Sequence, residues 1–184
     1  MKKIVYSLLV MIITLVCIPV NAKDNFYANQ ELNLNKEYDS TVFAAGNNIS
    51  VENERDYLFA AGNIINIKNV TTKDAFVAGS NITIEDSIIR DLYAAGEKIT
   101  IDSDIDGKAY VGGEEVTINS TIKGDIKVSA ERIILGEKAN IEGTLKYPED
   151  AKISKEKDTK IAKEKTYKVK SEYNVGWQIR ICRR

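Results

Sequence analysis

The 184-residue chain carries 26 Lys plus Arg against 27 Asp plus Glu, and no histidine. A chain without a basic excess lacks the phosphate-neutralising charge that non-specific nucleic-acid binding needs. The absence of histidine removes the commonest general base and metal ligand.

In chain order, Lys2 and Lys3 precede an apolar run from Ile4 to Pro19, followed by Val20-Asn21-Ala22. This pattern predicts a secretory signal peptide, residues 1–22, cleaved before Lys23. Retained as a signal anchor, it would still leave the rest of the chain outside, with the two lysines on the cytoplasmic side. Its removal leaves Cys182 as the single cysteine, so no intrachain disulfide forms. Residues 23–30 are polar and read as a flexible lead-in.

From about Glu31 to Tyr147 the sequence repeats every 17 residues, and the period is the first clue to the fold. The stretch Asp91 to Gly107, DLYAAGEKITIDSDIDG, shows the unit as three short alternating runs separated by corner residues, which predicts three short strands. A middle-strand column runs Leu32/Leu34, Ile49/Val51, Ile65/Ile67, Ile82/Ile84, Ile99/Ile101, Val116/Ile118 and Ile133/Leu135. A glycine column runs Gly46, Gly62, Gly79, Gly96 and Gly113, broken at Ala130, and a third-strand column runs Tyr38, Val70, Ile88, Ile105, Ile122 and Ile141. One three-strand unit cannot enclose a core, so copies must stack with each strand parallel to its equivalent. The expected fold is therefore all-β: a single-stranded β-solenoid, residues 31–147, of about seven 17-residue coils with three short parallel strands each. At about 4.8 Å per coil, the rod is on the order of 34 Å long.

Alternation within the first strand offers Val42/Ala44, Leu58/Ala60, Ala75/Val77, Leu92/Ala94, Ala109/Val111 and Ile126/Val128 as its inward pairs. The strongest core candidates are Leu58, Leu92, Ile82, Ile84, Ile99, Ile101, Val116, Ile118 and Ile133. The same parity puts Phe43, Phe59, Phe76, Tyr93 and Tyr110, followed by Lys127, outside as an aromatic column. Such a column either stabilises neighbouring strands or forms a candidate interface for a lateral partner or membrane. With reversed parity the rings would be core.

The unit D-[LIA]-[FY]-x-A-G-x-x-[IV]-[TNS]-I, as in DAFVAGSNITI (Asp74 to Ile84) and DLYAAGEKITI (Asp91 to Ile101), resembles the bactofilin-like, polymer-forming cytoskeletal repeat over about two thirds of the chain. The resemblance implies a right-handed β-helix that assembles end to end without nucleotide, with no active site, cofactor or metal. The export segment departs from well-known bactofilins and points to an exported, envelope-associated variant. In exported proteins that resemble this one, a hydrophobic membrane segment often follows the repeats, whereas this sequence reaches Arg184 without one.

Asp56, Asp74, Asp91 and Asp125 recur at a coil corner, where Asp is expected to bond its own turn backbone. Ser50, Asn66, Thr83, Thr100 and Thr117 form an outward polar ladder. Residues 23–145 hold 21 acidic against 12 basic groups, whereas residues 146–184 hold 6 against 12. The basic tail, residues 148–184, is expected to be solvated or to meet a membrane or anionic cell-wall polymer, assisted by Trp177, Ile179 and Ile181. The function expected is a non-enzymatic structural protein whose partner is itself. The alternative is a secreted binding module that holds a polysaccharide or protein on its aromatic or Thr ladder.

Overall fold

The computed structural model describes residues 25–36, 40–53 and 55–169. The export segment 1–22, Tyr38 in the third-strand column, and Trp177, Ile179, Ile181 and Cys182 of the tail lie outside them. The described strands are β1 (Asn25–Ala28), β2 (Glu31–Leu34), β3 (Val42–Val51), β4 (Arg55–Lys68), β5 (Thr71–Ile105), β6 (Ala109–Ile118), β7 (Thr121–Ile122), β8 (Ile126–Leu135), β9 (Asn140–Pro148), β10 (Lys152–Lys155) and β11 (Lys160–Tyr167). Pairing between them is parallel throughout, each stretch lying on its equivalent one turn away. The result is a β-solenoid of about eight turns with a spacing near 17 residues. β5 is long because its ladder continues round the corners through two turns without interruption.

Two sequence positions apart means the same side of a strand, so alternation decides what is buried. The first-strand column Val42, Leu58, Ala75, Leu92, Ala109, Ile126 and Leu145 is fully buried. In the middle strand, Ile49, Ile65, Ile82, Ile99, Val116 and Ile133 are at most 1% exposed, as are Val51, Ile67, Ile84, Ile101, Ile118 and Leu135. Each of these larger side chains contributes about 1.5–3 kcal/mol of burial. The interior is a filled rod of stacked aliphatic columns.

The glycine column owes its composition to crowding. None of its members has positive φ. A Cβ at Gly62 would lie 2.5 Å from the Gly46 carbonyl oxygen, at Gly79 2.6 Å from that of Gly62, and at Gly113 2.6 Å from that of Gly96. At these turns the chain passes so close beneath the last that a Cβ would meet its backbone, and only in the turn of Ala130, paired with Gly113, does the column carry a methyl group.

The opposite corner uses a left-handed residue. Asn53, Asn69 and Asp86, each two positions after the middle strand, have φ of 74°, 52° and 48°, a conformation that Asn and Asp tolerate better than other residues with a Cβ. That kink corrects the third-strand column. Ile88, expected inside, is 53% exposed, and Ile89 is buried in its place. Val70 belongs to a separate corner position with Ser87, where the Val70 N–H donates to Ser87 Oγ at 3.0 Å and the Ser87 N–H donates to Ser103 Oγ at 3.0 Å. Ser87, Ser103 and Ser120 are thus buried hydroxyls that occupy an inner corner and satisfy its backbone.

Both ends of the predicted rod are corrected. Residues 25–28, expected as part of a flexible lead-in, form β1 in register with Val42–Ala45. Within the stretch expected as tail, Ala151 and Ile153 allow a frayed last coil from the pattern; residues 152–155 do form β10 on β8, and residues 160–167, where no period was expected, form β11 on β9. The period lengthens here. Lys127 pairs with Lys146, nineteen residues on, and Ile133 with Ile153, twenty residues on. The added residues are taken up in turns, closed by Ala139 N–H to Gly136 O at 3.0 Å and Thr159 N–H to Glu156 O at 3.3 Å.

Candidate interaction surfaces

In a parallel stack, equal positions one turn apart sit a strand spacing apart. The outward position of the first strand therefore becomes a column of rings: Phe26, Phe43, Phe59, Phe76, Tyr93 and Tyr110, with centroids 4.5–5.3 Å apart and planes within 13°. The run is about 24 Å long. Phe26 falls in the stretch that reads as a lead-in, yet it lies seventeen residues before Phe43, so the period itself points to it. Two positions further along each strand an exposed row, Ala28, Ala45, Ala61, Ala78 and Ala95, forms a floor beside the rings. Rings and floor together line an open groove of about 630 Å³.

The stacking limits what this groove can recognise. Each ring's faces are covered by its neighbours, so only ring edges look into the groove. Sugars and nucleobases stack on ring faces, and the face left open at the near end is that of Phe26, 63% exposed. The groove lining holds no carboxylate, amine or thiol, and its side-chain polar groups are the hydroxyls of Tyr27, Tyr93 and Tyr110. The polar ladder Ser50, Asn66, Thr83, Thr100 and Thr117 stays on its own face, continued by Ile134.

A second column, at the start of the middle strand, carries charge. Lys98 Nζ lies 3.3 Å from Glu115 Oε1, and Arg132 Nε lies 3.1 Å from Glu115 Oε2. Arg132, and then Lys98, hold the Glu115 carboxyl below its ordinary range. The column begins at Glu31, which accepts from Asn48 Nδ2 at 2.6 Å, and ends at Lys152, paired with Arg132.

The corner aspartates bond the next turn rather than their own. Asp91 Oδ1 accepts the Lys108 N–H at 2.7 Å, while Asp74 pairs with Arg90 and Asp56 with Lys73, each at 2.7 Å. Asp125 Oδ1 accepts the Thr144 N–H at 2.9 Å, and its other oxygen pairs with Lys146 at 3.0 Å. These partners lower its pKa to about 2. Among the described residues no group of three or more is placed to hold a metal ion. Because the bonds favour the charged form, Asp125 contributes its full stabilisation above the ordinary carboxylate pKa near 4 and loses it as pH falls towards 2. The melting-temperature deficit of Asp125→Asn is therefore expected at neutral pH and should vanish near pH 2. A deficit that persists unchanged at pH 2 contradicts the assignment.

The two end rungs complete the inventory. Among the described residues, β1 and β2 pair on one side only, with β3, and β10 and β11 pair on one side only, with β8 and β9. Glu31 is the single charged side chain of β1 and β2, whereas β10 and β11 carry Lys152, Lys155, Lys160, Lys163 and Lys165 with Glu164. Tyr167 pins the last strand to the body, its hydroxyl donating to Val128 O at 3.1 Å and its ring lying under Lys127 Nζ at 5.1 Å. Compared with known proteins, the chain matches no family model, no curated protein and no solved structure.

Proposed function

We propose that this chain is an exported, non-enzymatic structural protein of the bactofilin-like, polymer-forming kind, which assembles end to end into an envelope-associated scaffold. The observation that carries this reading is that the end strands keep the register of the body and, among the described residues, pair on one side only. Such edges accept strands from another chain, and a joint that repeats the pairing within the rod needs no new structure. Because one end meets the other without closing a ring, the product is a filament. The basic residues beyond Leu145 give that filament a means of contact with membrane or an anionic wall polymer, towards which the acidic body contributes nothing.

Negative-stain electron microscopy with sedimentation velocity tests this on the purified chain across a range of concentrations. Filaments that lengthen with concentration are expected. Uniform single rods at all concentrations overturn the scaffold and favour the binding module, for which the exposed apolar groove along the rings is the place to search for a protein partner.

A further inference from the structure

The groove along the rings is lined almost wholly by apolar groups, and the chain runs up to one of its ends. We propose that residues 170–184 return along this groove as a strap, with their apolar side on the alanine floor and against the ring edges. The inference is independent of the scaffold reading above.

The path comes from the last described residues. Past Ala95 the floor continues in register through Gly112 and Ser129. Two positions past Lys146 and Lys165, in the same line, stand Pro148 and Tyr167, paired with each other. The Tyr167 side chain points back along the rod, since its hydroxyl donates to Val128 O, two turns earlier, at 3.1 Å. The line of the floor thus already carries a ring laid on it by the end of β11. Val169 then lines a cleft with Gly113, Ser129 and Ala130, and Gly113 belongs to the same strand as Tyr110, the last ring of the column.

The pattern comes from the sequence. YKVKSEYNVGWQIRIC, Tyr167 to Cys182, puts Tyr, Val, Ser, Tyr, Val, Trp, Ile and Ile on one parity and Lys, Lys, Glu, Asn, Gly, Gln, Arg and Cys on the other. Such alternation marks an extended segment with one apolar side to cover. Tyr167 and Val169, the described members of that side, are the ones set at the end of the floor. Trp177 follows Val169 by eight residues, at most about 27 Å of extended chain, and six rings at the strand spacing run for about 24 Å. The segment therefore spans the groove, and Trp177 comes within reach of Phe26, the ring whose face is open.

Charge agrees with this occupant. The edge beyond the floor carries Glu97, Glu114 and Glu131, two positions past Ala95, Gly112 and Ser129, whereas Lys168 to Arg184 holds five basic residues and one acidic. A second copy fits less well, because a strip of about 24 Å by roughly 12 Å offers each partner about 300 Å², well short of the ~800 Å² of a stable interface. A tethered segment needs far less: at an effective concentration near 1 mM, an intrinsic affinity of about 0.1 mM fills the groove in roughly nine chains of ten.

Trp177 is the single tryptophan and reports the strap directly. In the full chain, without lipid, its emission is expected to be blue-shifted and quenched several-fold less by acrylamide than in the urea-unfolded chain, at every protein concentration. Ala78→Glu sets a carboxylate on the exposed floor at mid-groove. It should return both readings to the unfolded values while the β-type circular dichroism is kept. Tyr173→Ser with Val175→Ser changes the strap and leaves the described rod untouched, and should do the same. An exposed indole in the wild-type chain overturns the strap, as does a shielded one that neither variant releases. A blue shift that appears only as concentration rises assigns the groove to a second copy, and one that appears only with anionic vesicles assigns Trp177 to a bilayer; each overturns the proposal.

Discussion

Ile101→Asp is expected to abolish the cooperative melting of the rod and its β-type circular dichroism. Ile101 is fully buried near mid-rod, paired in register with Ile118 on the next turn. The exchange removes about 1.5–3 kcal/mol of apolar burial. It also places a carboxyl where no cation stands, so the group either stays charged or takes a proton, and each outcome costs several kcal/mol. Against a typical domain stability of 5–15 kcal/mol, the sum is decisive. Position matters as much as chemistry, because in a stacked repeat each turn is stabilised by its two neighbours. A mid-rod turn that fails separates the halves, whereas Ile153→Asp, in the last turn and only partly buried, should fray one end. A normal melting curve for Ile101→Asp would show that the inward register is wrong.

Gly79→Ala is expected to be nearly as damaging, though it adds only a methyl group. The added carbon would stand 2.6 Å from the Gly62 carbonyl oxygen and 3.1 Å from Ile65 Cδ1. The isoleucine can adjust, but the carbonyl belongs to the ladder that joins the two turns, Gly62 to Gly79. Relief therefore requires that the turns part locally, with loss of ladder hydrogen bonds and exposure of the columns beneath. A loss of about 3 kcal/mol or more is expected, at the upper end of overpacking effects. Gly112→Ala is the control, since its Cβ would meet nothing nearer than the Ser129 carbonyl oxygen at 3.9 Å and its neighbours in the column, Ala95 and Ser129, both carry a Cβ. Equal melting temperatures for the two variants would remove close approach as the reason for the glycine column.

The body of the rod was legible because burial in a strand depends only on parity and a strict period keeps every column in phase. Parity alone does not cross the corner, however: counting back by twos from Ile99 and Ile101 lands on Tyr93, and the rings are outside because the corner at Gly96 shifts the alternation by one residue, leaving Leu92 and Ala94 buried. The ends were harder to read because an end rung has one neighbour instead of two. Asn25 stands in the column that is Val42, Leu58 and Leu92 elsewhere, and a polar residue there hid the strand. At the far end, insertions in the corner loops lengthened the step and broke the count at Ile153 and Ile161. Ile88 and Ile89 could not be ordered from pattern alone, because the left-handed Asp86 resets the parity between them. The serine column had no apolar signal to betray it, since its purpose is to accept and donate hydrogen bonds at a dry corner.

The bonds that join one turn to the next run along the rod, and the first and last strands lie at its opposite ends. A pull on those ends therefore loads the ladders in series, so that turns peel away one by one. Each turn frees about 17 residues, roughly 58 Å of extended chain, at the expense of about 4.8 Å of rod. Compression instead presses filled turns and stacked rings together, against an interior with little room to yield. Mechanically the rod is a strut with a fuse at either end: stiff when pushed, and lengthening in steps when drawn out.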